Sequence, residues 1–192
     1  MPELPEVETV RRGLEPAMDG ARFAKIDVNR GDLRWPLPKD FTQRLQGQKV
    51  EGLGRRAKYL LADLSSGDVL IMHLGMSGSF RLRRNGETFL GDPRYFETAK
   101  DAKHDHVVFH MSSGATVTFN DPRRFGSMKL VPRATLDEEP LLRALHSRRT
   151  EGYQDSKRPH QYRDKQTDNH ISGRQDRGEE SYRSPLPGAP GL

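Results

Sequence analysis

The chain has 192 residues, a formal net charge of +5 and only 33% hydrophobic residues, against roughly 45–50% apolar in an ordinary globular chain. It contains no cysteine, which excludes disulfides, thiolate chemistry and a Cys-based zinc site in this chain. No apolar run reaches the roughly 18 residues of a membrane span and no apolar signal region follows the N-terminus, so a soluble, cytoplasmic protein is expected.

The first predicted element is a helix over PEVETVRRGLEPAM: Pro5 suits a first turn, Glu6 and Glu8 complement the positive end of the helix dipole, and Val7, Val10 and Leu14 share a face. Gly20 closes it. Seven β-like runs follow: RFAKIDVNR, QKVEGLGRRAKYLLADL, DVLIMHLGM, GSFRLRR, HVVFHM, ATVTF and SMKLVP. The separators SSGD, RNGE and SSGA read as hairpin connections. NGETFLGDPRYFETAKDAKHD is expected as a long loop or insertion, and TLDEEPLLRAL as a helix capped by Thr135 or Asp137. The fold class implied is mainly β with flanking helices, a two-layer antiparallel sandwich or barrel.

The apolar deficit is concentrated at the end. Residues 1–146 form the expected domain, whereas residues 147–192 hold only seven apolar-set residues, none of them Val, Phe, Met or Trp. Such a stretch cannot bury enough surface to offset its ordering entropy, so a disordered tail is expected. Its nine Lys/Arg and seven Asp/Glu give +2 of the +5, leaving +3 on the domain. That balance is compatible with a phosphate-rich partner without requiring one.

Four stretches carry possible chemistry. Removal of the initiator Met leaves Pro2 with a free secondary amine. An α-amine of pKa about 7.7–8.0 is partly neutral near pH 7 and can attack an electrophilic carbon, with Glu3 moving the proton; a plain helix start is the other reading. In RRAKYLL, Lys58 is placed to hold a phosphate, or is a solvated strand edge. In HLGMSGSF, Met76 sits at a tight turn as core filler or as a base-stack wedge. In NDPRRFG, Arg123, Arg124 and Phe125 project from a turn bounded by Asp121-Pro122 and Gly126, a pattern suited to entering a nucleic-acid stack. KHDHV offers His104 and His106 at i, i+2; with no third ligand nearby, phosphate contact or ordinary surface fits better than a metal.

MPELPEVET, RRAKYLL, HLGMSGS, KHDHV and DPRRFG together resemble, in order and spacing, the N-terminal domain of the formamidopyrimidine-DNA glycosylases, bifunctional repair enzymes for oxidised purines. Leu4 in PELPE favours this branch over endonuclease VIII, which resembles PEGPE. The resemblance covers about residues 1–145. It implies that Pro2 attacks the sugar C1′ of a flipped-out nucleotide, that Glu3 is the general acid/base, that Glu6 lines the damage pocket, and that Lys58 contacts phosphate and assists strand cleavage. It further implies that Met76, Arg123 and Phe125 fill the gap left in the duplex and that His104 contacts phosphate. Damaged double-stranded DNA is the expected partner, and the protein is expected to be a monomer. With the family's zinc ribbon missing, no cofactor is expected in this chain.

After LLRAL the family reads Gly-Pro-Glu-Pro-Leu, and a helix–two-turn–helix element and four-cysteine ribbon follow; here the sequence is HSRRTEGYQDSKRPHQYRDKQTDNH. This is the pattern of a changed reading frame or truncated gene, or of a real tail with weak DNA affinity. Phosphate contacts supply most affinity, so weak or absent turnover is expected. Two other readings remain: a non-catalytic DNA-binding module, and an N-terminal-proline tautomerase, which leaves DPRRFG and HLGMSG without a role.

Overall fold

The computed structural model describes residues 4–84, 87–89 and 101–146. Pro2, Glu3 and the whole of residues 147–192 lie outside the described residues. The predicted first helix is α1, Leu4–Met18. Its apolar positions Val7, Val10, Leu14, Ala17 and Met18 are all buried in one core, as their 3–4 spacing requires.

The strands are β1 (Phe23–Val28), β2 (Val50–Arg56), β3 (Tyr59–Leu64), β4 (Asp68–His73), β5 (Ser79–Arg84), β6 (Glu87–Phe89), β7 (Asp105–Met111), β8 (Ala115–Asn120) and β9 (Ser127–Pro132). They form two antiparallel sheets, β1-β7-β8-β5-β6 and β2-β3-β4-β9, the expected two-layer arrangement. SSGD, RNGE and SSGA each join strands that pair, β3 to β4, β5 to β6 and β7 to β8. The main core holds Phe23, Phe80, Phe109 and Phe119 from the first sheet with Leu60, Leu70 and Met72 from the second. In β4 the alternate residues Val69 and Ile71 face a second cluster with Leu136 and Leu142. The outer face of that sheet is therefore covered too, which explains why DVLIM reads as a continuous apolar run rather than an alternating one.

Three expectations are refined. QKVEGLGRRAKYLLADL is two strands joined at Ala57-Lys58, with Arg56 paired to Tyr59. Glu87–Phe89, expected within the loop, pairs with β5. TLDEEPLLRAL divides into a 3-10 helix (Arg133–Glu138) and α3 (Pro140–His146). Pro140 cannot donate to a preceding carbonyl, so it starts a helix rather than continuing one. A short helix α2 (Phe41–Leu45) was not anticipated; it buries Phe41 and Leu45.

Candidate functional site

The register gathers the candidate loops at one end of the sandwich. Tyr59 pairs with His73, and His73 with Ser127; Ser79 pairs with Asn120, and Asn120 with Asp105. The 57–58 tip and the connections 74–78 and 121–126 must therefore share an edge. Helix α1 spans the domain toward it. At the far end the Ser113 hydroxyl donates to the Ala17 carbonyl at 2.8 Å. Toward the near end Arg11 donates to the Leu53 carbonyl at 3.1 Å and Arg55 to Glu8 at 3.0 Å. The helix runs antiparallel to β2, and its first residue Leu4 points to the end that carries Lys58.

This docking is electrostatic as well as apolar. Glu8 bonds Arg11, Arg12 and Arg55. Burial alone would raise its pKa, but hydrogen bonds from Arg11, Arg55 and Arg12 outweigh that and hold it down to about 2. Arg55 also donates to the Ala57 carbonyl at 2.8 Å, so one guanidinium ties α1 to the hairpin tip. Ala57 itself has φ 48, a left-handed conformation that costs a non-glycine residue energy. The tip presents Lys58, half-buried, beside His73.

The other two loops are packed backbone against backbone. A Cβ on Gly75 would lie 2.4 Å from the Phe125 carbonyl carbon, and one on Gly126 2.5 Å from the Phe119 ring. Asp121 is fully buried. Its carboxyl group accepts from the Ser77 hydroxyl at 2.5 Å, the Gly126 amide at 2.7 Å and the Arg123 amide at 3.3 Å. Its carbonyl bonds His106 Nε2 at 2.8 Å. So anchored, the loops push apolar side chains outward: Met76 is 47% and Phe125 40% exposed. The Arg123 guanidinium lies 5.0 Å over the Phe125 ring, within cation–π range.

Between these tips is an open cleft of about 640 Å³ lined by Arg34, His73, Gly75, Met76, Arg123 and Phe125 among others. The Gly75 amide donates to His73 Nδ1 at 3.1 Å, so the other ring nitrogen carries the proton of the neutral form. Burial first, then the fields of Arg34 and Lys58, hold His73 below its ordinary pKa. Arg34 is fixed by its amide bond to the Gly126 carbonyl at 3.1 Å, and its guanidinium lies 4.9 Å over the exposed ring of Trp35. The result is a basic edge with an apolar tip, able to grip phosphate and enter a base stack.

Lys58, Met76, Arg123 and Phe125 thus lie at one edge of the sandwich. Glu6 is half-buried in the first turn of α1. His104 is half-buried at the end of a 3-10 turn, and its carbonyl accepts the Asp121 amide at 3.1 Å. His106 is buried against the Asp121 carbonyl, so it is structural, not a surface group. No cluster of three His, Cys, Asp or Glu suited to a metal occurs among the described residues. Nor, among them, is any helix long and apolar enough to cross a membrane. His73, Arg34 and Asp121 were not singled out in the sequence as site residues. A lone His ending an apolar strand gives no signal, and Asp-Pro reads as a turn starter.

Residues 1–128 match the family described as formamidopyrimidine-DNA glycosylase N-terminal domain. This chain belongs to that family. A formamidopyrimidine-DNA glycosylase of Bradyrhizobium sp. (strain BTAi1) is 62% identical over 145 residues, covering 76% of this chain and 50% of that protein. One of Rhodopseudomonas palustris (strain BisA53) is 64% identical over 146 residues, with the same coverages of 76% and 50%. Among solved structures, the Lactococcus lactis formamidopyrimidine-DNA glycosylase non-covalently bound to DNA containing an AP site superposes with a TM-score of 0.57. It is 29% identical and covers 70% of this chain and 47% of its own. A second Lactococcus lactis complex, with DNA containing an abasic site, gives 0.58 at 28% identity over 76% and 48%. The chain spans about half the length of the glycosylase relatives it matches.

Proposed function

We propose that this chain carries the catalytic half of a DNA glycosylase/AP lyase for oxidised purines such as 8-oxoguanine and formamidopyrimidine, acting on damaged double-stranded DNA in the cytoplasm. The Pro2 amine attacks C1′ of an extruded nucleotide, the damaged base leaves, and Glu3 moves the proton while the sugar is held as an iminium. Glu6 lines the base pocket, Lys58 holds the phosphate during strand cleavage with His73 beside it, His104 contacts a further phosphate, and Met76, Arg123 and Phe125 occupy the vacated stack. Amine chemistry of this kind calls for no metal or organic cofactor.

The observation that supports the reading is the convergence at one edge: the start of α1, to which Pro2 is tethered two residues upstream of Leu4, the Lys58 tip, and the exposed Met76 and Phe125 around a basic cleft. The domain of residues 1–146 is the unit proposed to carry this chemistry.

The test is borohydride trapping on a duplex with one abasic site, using Pro2→Gly as control. A covalent protein–DNA adduct that disappears in the variant is the expected result. No adduct from folded protein that still binds the duplex would overturn the reading in favour of a DNA-binding module without chemistry.

A further inference from the structure

We infer that Asp121 is a positioning residue that locks the Met76 tip and the Arg123–Phe125 tip into a single wedge, so that the two enter or leave a duplex together. The inference rests on the wedge role proposed above for those side chains.

Met76 and Phe125 belong to connections 44 residues apart at their anchors, Ser77 and Asp121, and neither tip is held by a strand. At the centre of what joins them is one buried carboxyl group. Asp121 Oδ1 accepts the Ser77 hydroxyl at 2.5 Å and shares the Arg123 amide at 3.3 Å with Ser77 Oγ, also at 3.3 Å. Its other oxygen takes the Gly126 amide at 2.7 Å. The bonds therefore bracket Phe125 from both sides and reach directly behind Met76. Gly75 closes the assembly: with the Phe125 carbonyl carbon 2.4 Å and the Gly126 nitrogen 2.5 Å from where its Cβ would be, the two loops also meet backbone to backbone at this point. Asp121 is itself held from behind, its carbonyl by the buried His106 and its amide by the His104 carbonyl at 3.1 Å. A bond network with no exposed member at its centre resists separate movement of the two tips.

The arrangement has a functional meaning because the tips themselves are exposed and contribute little packing. A protein needing only a stable turn would satisfy Asp121 locally, as Asp-Pro turns do through their own amides. Here the shortest of the three side-chain bonds crosses to the other loop. An Asn at this position would replace one acceptor oxygen by a donor, setting it against the Gly126 amide in one orientation and the Arg123 amide in the other.

Two measurements on the full chain separate the coupling from its use. In free protein, amide hydrogen exchange reads each loop while the other is altered. Ser77→Ala is expected to speed exchange at Gly126 about tenfold, and Asp121→Asn to speed it at Gly75 by a similar factor, with β4 and β8 unchanged. If each variant loosens only its own loop, the coupling is wrong. On DNA, 2-aminopurine placed opposite an abasic site reports filling of the gap. Wild-type protein is expected to change its emission at least twofold; both variants should lose more than half of that change while keeping the salt dependence of binding, which follows phosphate contacts. A variant that is merely unfolded would lose exchange protection in β4 and β8 as well. Coupled loops with an unaltered emission change in the variants would overturn the positioning role. No emission change with saturating wild-type protein would sink the wedge reading itself, and the positioning role with it.

Discussion

The two ends of the sandwich use glycine for opposite purposes. At the end away from the cleft, Gly67 and Gly114 have φ of 84 and 78, and an added Cβ would meet nothing within 4 Å. There glycine serves the backbone turn alone. At the cleft end, Gly126 and Gly75, the latter also at φ 65, make room for neighbouring groups, while other positive φ values fall on residues poorly suited to them, Ala57 at 48 and Arg124 at 57. One end is made of inexpensive hairpin turns. The other tolerates strain because buried anchors hold it, as expected where geometry serves a function.

That contrast can be broken most directly by adding one methyl group. Gly75→Ala and Gly126→Ala are expected to destabilise the domain by about 3 kcal/mol or more, since the obstruction at Gly75 is backbone that cannot rotate away. Gly114→Ala should cost only about 1–2 kcal/mol, the penalty of left-handed φ in open space. Urea denaturation midpoints compare the three; equal losses at both ends would erase the distinction.

The Glu8 anchor sharpens the comparison through pH. A carboxyl held at about 2 against an ordinary 4.5 contributes stability that is fully present above pH 4.5 and is lost as pH falls toward 2. Glu8 is partly solvated, so the expected loss in Glu8→Gln at neutral pH is discounted to about 1–2 kcal/mol. The gap between variant and wild type should close through that acid window. A constant gap would mean that shape, not charge, is what Glu8 supplies. His73 acts in a higher window. Its lowered pKa means stability falls as pH drops below about 6.5, where the unfolded chain takes up the proton first.

Ala57→Gly tests strain with a smaller effect. Relief of left-handed φ is partly offset by the greater freedom of glycine in the unfolded chain, leaving a gain of about 0.5 kcal/mol. Smallest of all in stability is Phe125→Ser, expected within about 0.5 kcal/mol because the ring is exposed. The same substitution should lower abasic-site adduct yield severalfold, read by borohydride trapping. A large stability loss there would place Phe125 in the core rather than the wedge.

Much of this was readable from the chain, for reasons that differ by element. α1 follows from its apolar spacing, and three hairpins from Gly-containing separators. NDPRRFG announces an outward turn because Asp-Pro and Gly bracket it. The hairpin at Ala57-Lys58 carries no such mark: its turn conformation is imposed by pairing on both sides and by Arg55 holding the Ala57 carbonyl. Local propensity lost to tertiary context there. His73 and Asp121 were hidden for a related reason. Their roles depend on partners 2, 5 and 44 residues away, and only the fold decides which of those distances in sequence become contacts.

The position of the chain's one tryptophan has a practical consequence. Trp35 is 45% exposed and lies under the Arg34 guanidinium, whose backbone is bonded to Gly126 in the wedge loop. Indole emission responds to nearby charge and to solvent, and no second tryptophan contributes background. The molecule therefore carries its own optical probe against Arg34, a residue that lines the cleft, so loop motion or polyanion binding can be followed in unlabelled protein by stopped-flow fluorescence.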